Sequence, residues 1–196
     1  MDDLDAQIRQ YWRTKPYDTE DAIDAALLNH RILTAGTYDT RRYVARSERP
    51  GEFKKGDYAT GIHEVGSPPE EVEPALRELV DELNTGQGDN PLAPAAYLHA
   101  RFEHIHPFAD GNGRTGRTLT NYWLMCRNHP PIVVFEEERK AYDQALEQYD
   151  AEETLQPMID FLRAQTIRTW SGALRRSRGD TAGLRRKGLQ AHIGPH

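Results

Sequence analysis

The chain has 196 residues and a net charge of −6, with 37% hydrophobic and 29% charged residues and a mean hydropathy of −0.80. That length suits one domain, and the recurrence of Leu, Ile, Val and aromatics at helical spacing argues against disorder throughout. Apolar runs such as Ile132 to Phe135 fall far short of the roughly 20 residues that span a bilayer, and the acidic opening Met1-Asp2-Asp3 is unlike a signal peptide. The single cysteine, Cys126, excludes an internal disulfide and a cysteine zinc cage. A cytoplasmic protein outside the membrane is expected.

In chain order, the periodicity predicts about seven helices. Leu4, Ile8 and Tyr11/Trp12 share a face of the first. Asp18 or Thr19 caps the second, whose buried stripe is Ile23, Ala26, Leu27 and His30, with an end near Gly36. Pro74 suits the first turn of a third, followed by Leu76, Leu79, Val80 and Leu83. A fourth is expected from about Leu92 to Ile105, and a fifth from Arg114 to about Asn128, stopped by Pro130-Pro131. Glu136 to Tyr149 reads as a sixth, and a seventh starts near Thr154 with Pro157 in its first turn. Between the second and third helices, Thr40 to Gly66 is irregular, with β-favouring residues at Tyr43-Val44 and Tyr58-Ala59-Thr60. A connection of that length in a compact domain usually serves function. The fold class is all-α with one short hairpin.

Charge is uneven. From Arg163 onward, eight lysines and arginines face one acid, Asp180, so the body is more acidic than the whole chain. Such a body argues against nucleic acid as a partner.

The chemistry concentrates in His106-Pro107-Phe108-Ala109-Asp110-Gly111-Asn112-Gly113-Arg114-Thr115-Gly116-Arg117. Gly111, Gly113 and Gly116 satisfy G-x-G-x-x-G, and Gly111 to Thr118 is one Lys-to-Arg change from a P-loop. Both folds need a strand directly upstream, and Ala95 to Glu103 reads as helix. What remains is their shared physics. Two glycines around Asn112 let backbone N–H groups converge on an anion, and the following helix aims its N-terminus at the same point. Arg114 and Arg117, three apart, are placed to grip a polyphosphate. A carboxylate at Asp110 suits phosphate only with Mg²⁺ between them. His106 has an ordinary pKa of roughly 6.5, which suits a general base. A second pattern, His99, Glu103 and His106 at i, i+4 and i+7, offers a zinc-site alternative, with His104 off that face and on the surface.

The segment resembles the Fic family motif, H-x-F-x-[D/E]-G-N-G-R-x-x-R, at every specified position, with looser likeness over roughly residues 20 to 170. The resemblance implies a Fic-type catalytic domain over 1–172, with a basic tail over 173–196. It implies a protein adenylyltransferase that moves AMP from ATP to a Ser, Thr or Tyr hydroxyl of a target protein. His106 would then be the general base and Phe108 the anchor of the loop, with Asp110 the Mg²⁺ ligand. Gly111, Asn112, Gly113, Arg114, Thr115, Gly116 and Arg117 would hold the phosphates. A β-hairpin flap over about 57–64, with Thr60, Gly61, Ile62 and His63, would clamp the target's backbone. The family's adenine and ribose contacts fall around Tyr142 and Asp150, although Tyr142 reads equally as core.

Many members carry an inhibitory [S/T]-x-x-x-E-[G/N] helix, but no Glu here is followed by Gly or Asn. Arg117 is therefore expected to have no internal restraint. Either a separate antitoxin-like partner supplies the Glu, or the enzyme is not restrained this way. Transfer of UMP or a phosphoryl group, or a regulatory module that binds nucleotide without transfer, are the alternatives.

Overall fold

A computed structural model describes residues 19–58, 66–85 and 90–178, and every regular element among them is helical. The six α-helices are α1 (Thr19–Leu33), α2 (Pro69–Thr85), α3 (Leu92–Ile105), α4 (Asn112–Cys126), α5 (Arg139–Glu152) and α6 (Gln156–Ser177). Single 3₁₀ turns occur at Val44–Arg46 and Glu136–Glu138. The helix expected around Leu4 to Trp12 and the flap residues Thr60, Gly61, Ile62 and His63 lie outside the described residues.

Helix α3 is the hub, touching α2, α4, α5 and α6, while α1 rests on α2 and α4. Its composition explains this. Ala95, Ala96 and Ala100 are buried and let neighbouring backbones approach, while Phe102 and Ile105 fill the space between them. Leu76, Leu79 and Leu83 of α2, Trp123 and Leu124 of α4, and Met158, Phe161 and Leu162 of α6 complete one core.

Two helix starts differ from the expected ones. Helix α2 begins at Pro69, not at Pro74, which sits inside it. Pro69 takes the first position, where the missing N–H is harmless, and Pro74 forfeits only one bond near the helix end. Helix α4 begins two residues early, at Asn112, because Gly111 in a left-handed conformation (φ 83°) turns the chain directly into it. Helix α6 runs to Ser177, past the expected domain edge at 172. The connector after α4 is tied down by Asn121, whose amide pairs with both backbone groups of Ile132 at 2.8 and 2.9 Å.

The irregular connection between α1 and α2 docks onto the end of α3. Lys54 N–H donates to the Pro107 carbonyl at 2.9 Å and Ser67 N–H to that of Ile105 at 3.0 Å. Tyr38, Tyr43, Tyr58 and Ala109 form a satellite cluster beneath it. The long loop therefore lies against the residues that carry the motif.

Candidate active site

Helix α3 ends on His106, which takes a left-handed conformation (φ 52°) and closes the helix through its N–H to the Phe102 carbonyl at 3.1 Å. Left-handed backbone at a non-glycine residue is uncommon and needs surrounding structure to hold it. Gly66 supplies part of that support, since a Cβ there would meet the His106 Cβ. The His106 ring lies beside the Glu103 carbonyl, and in its neutral form one ring nitrogen is an acceptor. Burial, and then the Lys54 ammonium, push its pKa down to about 4. The ring is neutral at physiological pH.

The loop that follows is pinned at three points. Phe108 is fully buried and stacked on His30 of α1, with centroids 3.6 Å apart. Asn112 closes a second contact, its Oδ1 accepting from Phe108 N–H at 2.9 Å and its Nδ2 donating to the Phe108 carbonyl at 2.8 Å. The third is the Asp110 carbonyl, held by His30 Nε2 at 2.8 Å. Gly51 N–H donates to His30 Nδ1 at 2.9 Å, so the neutral ring must carry its proton on Nε2. Burial lowers the His30 pKa and favours that neutral form.

These bonds revise the expected roles on the loop. The Asn112 side chain is 2% exposed and fully engaged with Phe108, so it braces the loop and leaves only its backbone amide for a phosphate. Thr115 is buried with its hydroxyl on the Gly111 carbonyl, and Gly116 faces Phe102 and Glu103 of α3. Both seat α4 on the core. No side chain caps α4 at Gly111, so the first N–H groups of α4 and its dipole face outward at the loop.

Arg114 and Arg117 take different neighbours. Arg114 donates to the Leu33 carbonyl at 3.0 Å and meets Asp110 Oδ2 at 3.4 Å, too long for tight pairing. Arg117 lies beside the Tyr142 hydroxyl and within the electrostatic reach of Glu103. Tyr142 is buried, with its hydroxyl 2.9 Å from His99 Nε2, and Asp150 is bound to His104 Nδ1 at 2.7 Å. Both side chains are engaged by histidines of α3. The zinc pattern also dissolves: His99 is committed to Tyr142 and Thr120, and His106 leaves the helical face at its left-handed turn.

The Fic/DOC family model matches residues 20–124, more than half of the chain and all of the motif. The chain belongs to the Fic/DOC family. Among curated Fic proteins, the protein adenylyltransferase Fic of Aedes aegypti is 35% identical over 121 residues, 61% of this chain and 24% of its own length. That of Culex quinquefasciatus is 34% identical over the same shares. The chain thus spans about a quarter of those relatives. Among solved structures, a Fic-domain-containing signalling protein from Bacteroides thetaiotaomicron superposes with a TM-score of 0.68 at 28% identity, covering 88% of this chain and 69% of that one. Fic-1 from C. elegans gives 0.62 at 28% identity over 79% of this chain and 44% of its own.

Three residues outside the Fic motif sit in its machinery without having been singled out for it. His30 orients the loop, Lys54 tunes His106, and Glu103 lies behind Arg117. A lone histidine on the apolar stripe of α1 was the only visible sign of the first. The other two depend on contacts between distant segments and leave no local pattern.

Proposed function

We propose that this Fic protein is a protein adenylyltransferase that moves AMP from ATP to a Ser, Thr or Tyr hydroxyl of a target protein. The observation that carries the reading is a neutral, half-buried His106, with one ring nitrogen free to accept, beside the uncapped N-terminus of α4. The names of the insect relatives support the same reaction.

In this reading the target hydroxyl oxygen attacks the α-phosphorus, an O–P bond forms, and the α–β phosphoanhydride bond breaks to release pyrophosphate. The hydroxyl proton passes to the accepting nitrogen of His106. Backbone N–H groups of Gly111, Asn112 and Gly113 with the α4 dipole receive the charge that builds on the phosphate. Arg117 and Arg114 bind the outer phosphates, Arg114 by exchanging its long contact with Asp110. Asp110, half-exposed and loosely paired, fits the single carboxylate that Mg²⁺ accepts when phosphates complete its shell. That ion would neutralise phosphate charge and assist departure of pyrophosphate.

The target's backbone is proposed to pair with the 57–64 flap, and a separate antitoxin-like protein is the proposed source of any inhibitory Glu. No described helix is long and apolar enough to cross a membrane. Purified protein incubated with cell proteins, Mg²⁺ and ATP labelled at either the α- or the γ-phosphate tests the reaction. The reading requires α-label on protein. Transfer of γ-label would mean phosphorylation, and no transfer by a protein that binds ATP would mean a regulatory module.

A further inference from the structure

The second half of α6 carries apolar side chains that the core does not use. Met158, Phe161, Leu162 and Gln165 are buried, whereas Ile167, Trp170 and Leu174 are 63%, 41% and 50% exposed. Their spacing of three and then four residues aligns them in one narrow stripe along the helix. Single exposed leucines are ordinary on a protein surface, but an apolar row at helical spacing marks a contact face.

The row is held in place from beside the helix. Trp170 Nε1 donates to the Pro131 carbonyl at 2.6 Å, which fixes the indole while part of its ring faces solvent. Val133 N–H donates to the Thr169 hydroxyl at 3.3 Å, so the connector after α4 lies along α6 and adds Val133, itself 50% exposed. An aromatic ring already immobilised within an apolar row is the kind of anchor on which protein interfaces concentrate their binding energy.

Charge decides what kind of partner fits. At the upstream end the cations are engaged within the chain: Arg163 pairs with Asp160 at 2.8 Å, and Arg168 with Glu138 at 2.6 Å and Glu137 at 3.1 Å. At the downstream end Arg175, Arg176 and Arg178 are exposed and pair with no acid among the described residues. Arg178 stands one turn beyond Leu174 and continues the row, while Arg175 borders it. A second copy laid parallel on this stripe would set these arginines against themselves. Laid antiparallel, it would offer them Arg163 and Arg168, whose acids are already paired. A bilayer surface would meet the exposed Glu137 carboxylate as well as the arginines. We propose that this face of α6 docks an acidic amphipathic helix of another protein, with apolar residues on Ile167, Trp170 and Leu174 and carboxylates against Arg175 and Arg178. The proposal stands apart from the transferase reading, because none of these residues belongs to the motif or to the contacts that brace it.

Fluorescence anisotropy with the full chain and two labelled synthetic helices of about three heptads tests this. Both helices carry Leu at the seam positions; one has Glu and the other Lys at the flanking positions. The Glu helix is expected to bind about tenfold more tightly than the Lys helix, with the difference shrinking at high salt. Trp170→Ala is expected to weaken that binding about tenfold or more, and the paired change Ile167→Ser with Leu174→Ser by a similar factor. Arg175→Glu with Arg178→Glu should reverse the preference toward the Lys helix. Circular dichroism checks folding; if Trp170→Ala unfolds through loss of its Pro131 contact, the exposed pair Ile167 and Leu174 decides. Equal binding of the two helices, or unchanged affinity for the Glu helix in the Ile167/Leu174 pair, overturns the proposal. Capture of the chain by phosphatidylserine vesicles that this pair abolishes overturns it in favour of a membrane surface. A dimer in sedimentation that the same pair dissolves overturns it in favour of a second copy.

Discussion

The imidazole of His30 lies flat on the ring of Phe108, with centroids 3.6 Å apart and planes 1° from parallel. One side chain belongs to α1 and the other to the motif loop, so the stack joins two segments 78 positions apart in the chain. His30 also holds the Asp110 carbonyl at 2.8 Å, which makes the pair the fixed floor of the loop. Phe108→Ala is expected to lower unfolding free energy by about 3–5 kcal/mol, the usual cost of an emptied aromatic site. Urea denaturation measures it, and a loss below 1 kcal/mol would mean the loop is held elsewhere.

Asn112 braces the same loop through polar bonds. Asn112→Ala leaves the buried Phe108 N–H and carbonyl without their partner. The expected cost is about 2–4 kcal/mol in urea, with weaker ATP binding following from a disordered loop.

His106 is neutral well below neutral pH, with its pKa at about 4. The pH–rate profile for transfer is therefore expected to show no histidine limb between pH 6 and 8. Lys54→Met removes a positive charge beside the ring and should move the acid limb upward. A limb near 6.5 in wild type would contradict the burial argument.

Stability against pH combines opposing contributions. His99 and His106 have folded pKa values of about 4, below the ordinary 6.5, so the unfolded chain binds more protons between those values. Their contribution is present above pH 6.5 and is lost as pH falls toward 4. Glu103, raised to about 7, acts in the opposite sense: its contribution is full below about 4.5 and is lost as pH rises through 7. Two histidines outweigh one carboxyl. Urea midpoints are expected to fall from pH 6.5 to 4, and more steeply in Glu103→Gln, where the offset is gone.

Much of this site was legible because its residues are contiguous. The run His106 to Arg117 placed a helix end, an anion-binding turn and a helix start in order, and α3 matched its expected bounds from Leu92 to Ile105. What escaped was set by pairing across the fold. Asn112 looked free for phosphate until its partner, Phe108, proved to be in the same turn. Arg114 and Arg117 share a helical face, yet one bonds the Leu33 carbonyl of α1 and the other lies beside Tyr142 of α5. Pro74 suited a helix start as well as Pro69 did, and only the packing of Val72 at the core favours the earlier one.

The central claim is that His106 drives nucleotidyl transfer to protein. Intact-mass and peptide mass spectrometry of cells expressing the chain, beside cells expressing His106→Ala, tests it most directly. The account predicts a mass gain of about 329 Da, one AMP, on Ser, Thr or Tyr of a cellular protein with wild type, and none with the variant. The same adduct appearing with His106→Ala, or only additions of a bare phosphoryl group with wild type, would contradict it.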